Sequence, residues 1–440
     1  MPESNREKLN ALLRRTGMMT GAQWVQKRME EERRREEGEY DIDRVVPGEL
    51  TGEGDAQFYL VRRDFPLDAL HGSVDLGAVL RTSSKHIAFS ACDPDLEDLD
   101  PRATLFMDTE TTGLSGGTGT VAFLVGVGYF TEHAFRLDQC FMRDYDEEEP
   151  MLRFLAGIFR NHSAVVGYNS KSFDLPLLRT RFIQNRIPFR LDGCLHYDAM
   201  HAARRIWKER LGTCTLAAVE EAVLGVRREG DVPGHLIPQY WFDYLRTRDA
   251  RPLKGVFYHH SMDILSLVAL TGLVSQMLET PGGGFEHAED RLSVVRLHFR
   301  QKQYAEVLEH ASRFLEEEER SPLRRECLEM LALAAKRLRR FEEMALFWER
   351  LAEEYPSHLD ARLELAKHCE HRLRDLDRAE LLCAEVLDLF DRRAALSRDA
   401  GAGPPGADAL RRRLERIRRK RARGGGGAQD ADLGQRGTEE

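Results

Sequence analysis

The apolar positions along the chain change rhythm twice. Residues 1–45 are polar and charge-dense, ending in "KRMEEERRREEGE", a pattern that predicts a solvated helix or a loose arm. Residues 46–100 mix a strand-like "FYLVRR" with several turn signals, and the pattern assigns this lead-in segment no role. From 101 to 282 the rhythm is that of an α/β domain. Three β-like runs, "ATLFMDTE", "TVAFLVGVGYF" and "AFRLDQCFM", follow one another at hairpin distances. "DYDEEEP" then opens a helix in which Met151, Leu152, Leu155, Ile158 and Phe159 recur at helical spacing. The strand "SAVVGYN" leads into the helix "SFDLPLLRTRFIQN", and the short strand "LHYDAM" into the basic helix "HAARRIWKERL". A last helix carries "YHHSMDILSLVALTGLVSQML". The predicted architecture is a mixed five-stranded sheet flanked by helices.

Between 288 and 395 the β signals vanish and helical periodicity takes over. Tyr304, Phe341 and Leu376 hold equivalent places in three related phrases, 37 and 35 residues apart. That period suits helix–turn–helix repeats of the tetratricopeptide type, whose stacked faces either receive a protein partner or cap the preceding domain. "GAGPPGAD" ends the pattern, and 396–440 reads as a basic, then polar, disordered tail.

Composition adds three limits. With 42% hydrophobic and 32% charged residues, the chain supports a real core under a highly charged surface. Seven scattered cysteines without a C-x-x-C pair argue for reduced thiols, hence a cytoplasmic protein, and against a zinc ribbon or disulfide framework. No run of about 18 apolar residues stands out and the N-terminus lacks an apolar signal stretch, so no membrane segment is expected.

The chemistry begins where the first β-like run ends in Asp108 and Glu110. Residues i and i+2 of a strand share a face. Two desolvated like charges on one face repel unless something positive joins them. Asp174 opens a helix after the strand "SAVVGYN", and Asp263 lies on the last helix. In the sheet order above, all four carboxylates converge beside the first strand. Two divalent cations would balance such a cage; oxygen-rich sets of this kind suit Mg²⁺. The glycines of "GLSGGTGT" lack a G-K-[S/T] ending and read as a turn between strands rather than a phosphate loop.

"DTETTG", "VGYNSKSFD" and "YHHSMDILSL" resemble the three motifs of the DEDD 3′–5′ exonucleases of the ribonuclease H-like superfamily. "LRTRFIQNRIP", "RRIWKERLGTCTLAAVEEAVLG" and "DVPGHLIPQYWFDYL" resemble the bacterial YprB-type ribonuclease H-like proteins, which also carry tetratricopeptide repeats. The resemblance implies a ribonuclease H-like α/β fold followed by an all-α repeat domain. It implies Asp108, Glu110, Asp174 and Asp263 as ligands of two Mg²⁺ or Mn²⁺ ions, in a metal-dependent 3′–5′ exonuclease. The family places its general base as a histidine five residues, or a tyrosine four residues, before the last aspartate. Here Tyr258 stands five before Asp263 and His259 four before it. His259 shares a helix face with Asp263 and is the preferred base, with His260 and Tyr258 as alternatives.

Between 179 and 210, eight basic residues face three acids, a composition that suits a phosphate backbone beside the cage. Thr111, Asn169, Lys171, Arg179, Arg204 and Arg205 are the candidate substrate contacts, and the expected substrate is a single-stranded nucleic-acid end. From Arg411 to Arg423, nine basic residues accompany one acid, a second candidate for nucleic-acid attachment. Two other functions compete: a catalytically silent scaffold acting through the repeats and basic tail, and an endonuclease sharing the same cage.

Overall fold

The computed structural model describes residues 21–113, 119–189, 193–280, 284–396 and 407–425. The chain divides into two compact units, Met1–Glu279 and Thr280–Glu440. Most of the expected glycine-rich turn, Arg190 of the basic run and the end of the polar tail lie outside the described residues.

The first unit is built on a sheet of seven strands rather than five: β1 (Glu49–Glu53), β2 (Ala56–Pro66), β3 (Thr104–Thr111), β4 (Ala122–Phe130), β5 (Ala134–Phe141), β6 (Ala164–Gly167) and β7 (Leu195–Asp198). Their order is β1-β2-β5-β4-β3-β6-β7. β3, β4 and β5 form the antiparallel hairpins read from the sequence, and β6 and β7 add in parallel. The two extra strands come from the lead-in segment. β2 pairs along its length with β5, from Tyr59 opposite Phe141 to Pro66 opposite Ala134. Its apolar run Phe58–Val61 is buried.

Helices of eight or more residues in this unit are α1 (Gly21–Glu36), α2 (Ser84–Ala91), α3 (Glu148–Arg160), α4 (Asp174–Gln184), α5 (Ala199–Leu211), α6 (Ile237–Thr247) and α7 (Leu253–Glu279). α7 is central: it packs on β3, β4 and β5 and against α2. Its approach is made possible by two glycines. A Cβ on Gly126 would stand 2.2 Å from Ile264 Cδ1 and 2.4 Å from His260 Cε1, and one on Gly128 would meet Phe135 at 2.3 Å. Alternate positions of a strand share a face, so glycines at 126 and 128 clear one groove in β4 for one helix.

α7 is also, among the described residues, the helix long and apolar enough to cross a membrane by length and composition, contrary to the expectation of no such stretch. Of its most apolar window, 67% is buried inside the unit, so packing between sheet and α2 accounts for its composition.

The lead-in segment also forms a two-stranded ribbon, Leu70–His71 with Val74–Asp75. Its turn grips a single π-helical turn at Glu220–Leu224: Ser73 N donates to Leu224 O at 2.9 Å. Gly72 has φ +65°, and a Cβ there would stand 2.0 Å from that same carbonyl oxygen. Only glycine fits both demands.

The second unit is a run of helices, each packed on the next: α8 (Ala288–Arg300), α9 (Tyr304–Glu317), α10 (Arg324–Arg337), α11 (Phe341–Glu354), α12 (Leu359–His368), α13 (Leu376–Leu396) and α14 (Ala407–Gly425). Tyr304, Phe341 and Leu376 begin α9, α11 and α13. Two residues before each stands a residue in the left-handed region: Lys302, Arg339 and Arg374, with φ of 62°, 61° and 58°. The sequence repeat is thus a repeated tight turn between antiparallel helices. The basic stretch of the tail forms α14, whose Leu410, Leu414 and Ile417 join a core with α13.

Candidate metal centre

β3 opens on Thr104, reads apolar through Leu105, Phe106 and Met107, and then runs Asp108, Thr109, Glu110 and Thr111. Cross-strand partners share a face of the sheet. Asp108 lies opposite Gly126, so Asp108 and Glu110 look toward α7 through the groove those glycines open. A bulge interrupts the register between Glu110 and Thr111, ending the strand at the carboxylates.

α4 brings the third carboxylate. β6 stops at Gly167, where a Cβ would meet Ser170 Oγ at 2.2 Å, and Asn169 turns the chain with φ +63°. The Asp198 carboxylate, at the end of β7, accepts from Asn169 N at 2.9 Å and Lys171 N at 3.1 Å, clamping the loop. Asp174 is then buried at the first position of α4 and accepts from Thr109 Oγ1 at 2.5 Å.

The fourth carboxylate, Asp263, stands on α7. One turn earlier, His259 points Nε2 at Asp263 Oδ2, 3.4 Å away. Glu110, His259 and Asp263 each offer a ligand atom within 4.8 Å of the others. His260 is fully buried, its Nε2 3.9 Å from Asp108 Oδ2. Its Nε2 stands 3.1 Å from the Asp108 carbonyl oxygen, which can only accept, so Nε2 carries the proton. Its Nδ1 then accepts from Gln139 Nε2 at 3.0 Å. Burial lowers the His260 pKa to about 4, against the pull of that carbonyl. His260 therefore holds β3 against α7, with both ring nitrogens engaged. Tyr258 is half-buried on the same helix.

The electrostatics follow from this crowding. Burial, then the charges of Asp263, Asp174 and Glu110, raise Asp108 well above the usual carboxylate range. Glu110 is raised by burial and by Asp263, Asp174 and Asp231. Burial raises Asp174 to about 6, although the Thr109 hydroxyl works the other way. Asp263 is also raised by burial, opposed by Arg228. Yet 22% of the Asp108 side chain remains exposed, so the corner is open to a ligand.

Sequence reasoning missed a second layer. Arg228 Nη2 donates to Asp263 Oδ1 at 2.5 Å and to Glu220 Oε1 at 2.5 Å, while Nη1 reaches Asp231 Oδ2 at 3.2 Å. Asp231 in turn lies 2.9 Å from His259 Nδ1. These residues sit on a loop and a π-helical turn, where no periodicity marks them; the one clue was the charged "RREGD" just before "VPGH".

The candidate substrate contacts do not gather as tightly. The Thr111 hydroxyl donates to Gly113 O at 3.0 Å. Lys171 is exposed, 3.9 Å from Asp93. Arg179 and Arg204 are exposed on α4 and α5. Arg205 donates to the Ser90 carbonyl at 3.2 Å, which ties α5 to α2.

This donor set fits divalent cations. Asp108, Glu110, Asp174 and Asp263 supply hard oxygens, and Arg228 is the guanidinium bonded to the set. Excess buried negative charge of that kind is what a cation would relieve.

A family model described as the RNase_H superfamily matches residues 105–275, the span from β3 to α7. Over that span the chain resembles that superfamily. It is 31% identical over 281 residues to a Bacillus subtilis (strain 168) protein named "Uncharacterized protein YprB", a match covering 62% of this chain and 66% of the relative, just under two thirds. The first unit thus has a ribonuclease H-like fold, similar over this span to that relative, and a C-terminal helical region that fits repeats follows it.

Proposed function

We propose that the first unit is a metal-dependent nuclease removing nucleotides from the 3′ end of single-stranded DNA or RNA. What supports this reading is that Glu110, His259 and Asp263 offer ligand atoms within 4.8 Å of one another, with the charges of Asp108 and Asp174 felt at the same partly open corner of the sheet. In this reading the four carboxylates hold two Mg²⁺ or Mn²⁺ ions. Bound there, such ions would acidify an attacking water and neutralise charge on the leaving oxygen. His259 takes the proton from that water. Asp174 is kept in place by the Thr109 hydroxyl, and Asp108 by the His260 contact to its own carbonyl. Lys171, Arg179 and Arg204 attract the phosphate backbone from the rim. The second unit recruits or orients a protein partner, and the work is done in the cytoplasm.

The test is release of mononucleotides from end-labelled single-stranded DNA and RNA with Mn²⁺, wild type beside Asp108→Ala. Activity that survives unreduced in the variant would sink the reading. Products from end-blocked substrates would instead identify an endonuclease.

One observation favours a second reading. Arg228 already pairs with Asp263, as it would in a silent binding scaffold. Calorimetry with Mn²⁺ separates the two, because a scaffold shows no binding that depends on the four carboxylates.

A further inference from the structure

We infer that Asp231 is a positioning residue that fixes the tautomer of His259, so that the Nε2 lone pair faces the carboxylate cage. The inference rests on the nuclease reading for its purpose, but its geometry is independent of it.

His259 Nδ1 lies 2.9 Å from Asp231 Oδ2 and 3.0 Å from Oδ1. A carboxylate can only accept, so an unprotonated Nδ1 there would set a lone pair against two oxygens. Arg228 Nη1 is the competing donor to Nδ1, but it is farther away at 3.3 Å and already serves Asp231. The nearer, two-oxygen contact decides in favour of Nδ1–H. The proton is thereby drawn to the outer side of the ring. Nε2 is left on the inner side, in one cluster with Glu110, where its 3.4 Å contact to Asp263 Oδ2 is longer than either Nδ1 contact to Asp231 and so competes less for the proton.

Asp231 is itself held. Arg228 bridges it to Asp263 and Glu220, and the Glu220 side chain is only 2% exposed. Glu220 belongs to the π-helical turn that the Leu70–Asp75 ribbon grips through Leu224 O. A chain of contacts therefore runs from the lead-in segment to the imidazole. A histidine whose outer nitrogen is bonded to a carboxylate has its ring orientation and tautomer set.

The experiment has two arms, both on the full chain. In the first, ¹⁵N-labelled histidine is observed by NMR at pH 8 with Mg²⁺, and the His259 signals are assigned by their loss in His259→Gln. The expected result is Nδ1 protonated and Nε2 bare in wild type, with Asp231→Ala shifting His259 toward the Nε2–H form. A wild-type ring protonated at Nε2, or a pattern unchanged by Asp231→Ala, overturns the inference. In the second arm, Asp231→Asn should lower kcat about 10–100-fold with KM unchanged, and Asp231→Glu should restore part of the loss. A change confined to KM, or no change, overturns it. Wild-type protein inactive on every substrate would sink the nuclease reading alone, since the spectroscopic arm still decides the role of Asp231.

Discussion

In the first unit the carboxylates of Asp108, Glu110, Asp174 and Asp263 act on one another at one corner, and Arg228 bonds to Asp263 among them. In the second unit the proportions are inverted: one buried carboxylate, Glu370, receives Arg413, Arg416 and Lys420 of α14, each at 2.8 Å. Burial alone would raise Glu370, but the hydrogen bonds from Arg416 and Lys420 outweigh it and bring its pKa down to about 2. In the first unit burial and mutual repulsion win, and the acids rise. Both clusters use the same side-chain chemistry. The Glu370 cluster is satisfied internally and fastens a helix. The cage is left short of positive charge, the state expected of a site built to receive cations. The contrast also changes the reading of the basic tail, since cations bonded to Glu370 and Glu380 are already employed within the unit.

The largest effect should come from breaking the cage. Asp108→Ala or Asp174→Ala is expected to remove at least about 10³-fold of the metal-dependent nuclease rate, by analogy with losses on removing a key electrostatic group. Circular dichroism should show the fold intact. The metal-free variants should melt no lower than wild type, since one repelling charge is gone.

Next comes Arg228→Ala, which strands Glu220 and Asp263 without their partner. A loss of about 3–5 kcal/mol in denaturant unfolding is expected, as for other broken buried pairs. Adding Mn²⁺ should recover part of it if the cage accepts the ion.

Gly126→Ala tests the groove. Its Cβ cannot fit unless α7 moves, so about 1–3 kcal/mol of stability should be lost. Mn²⁺ affinity measured by calorimetry should fall with it, because Asp263 moves with the helix.

The smallest effect is on pH, and it should have opposite signs in the two units. Asp174 is raised from 3.8 to about 6, so the folded state binds its proton more tightly than the unfolded chain. Metal-free stability of the first unit should fall as pH climbs from about 4 through about 6. Glu370 is lowered from 4.5 to about 2; its contribution is full above 4.5 and fades as pH drops toward 2. Hydrogen exchange followed separately in each unit reads both slopes. Parallel slopes would end the comparison.

How much of this was legible in the sequence depended on periodicity. Asp108 and Glu110 stood out because a two-residue period is a strong signal on an apolar strand. Asp174 and Asp263 gained meaning only beside them, through the order of the motifs. Glu220, Arg228 and Asp231 lie on a π-helical turn and a loop, where spacing carries no geometric information. Gly126 and Gly128 were legible but passed over; glycine at alternate places in an otherwise apolar strand marks a close approach. The pairing of β2 with β5 joins residues 59 to 141, a contact that no local pattern encodes. The helical hairpins were readable from Tyr304, Phe341 and Leu376, because each begins a helix after the same turn.

β2 covers the whole of β5, and the ribbon beside it grips the turn that carries Glu220. Anyone who trims the chain to the span shared with the superfamily, 105–275, removes both. The trimmed piece would present β5 as a bare hydrogen-bonding border, inviting self-association. A failed assay on such a fragment would report the missing border, and leave the chemistry of the intact protein unjudged.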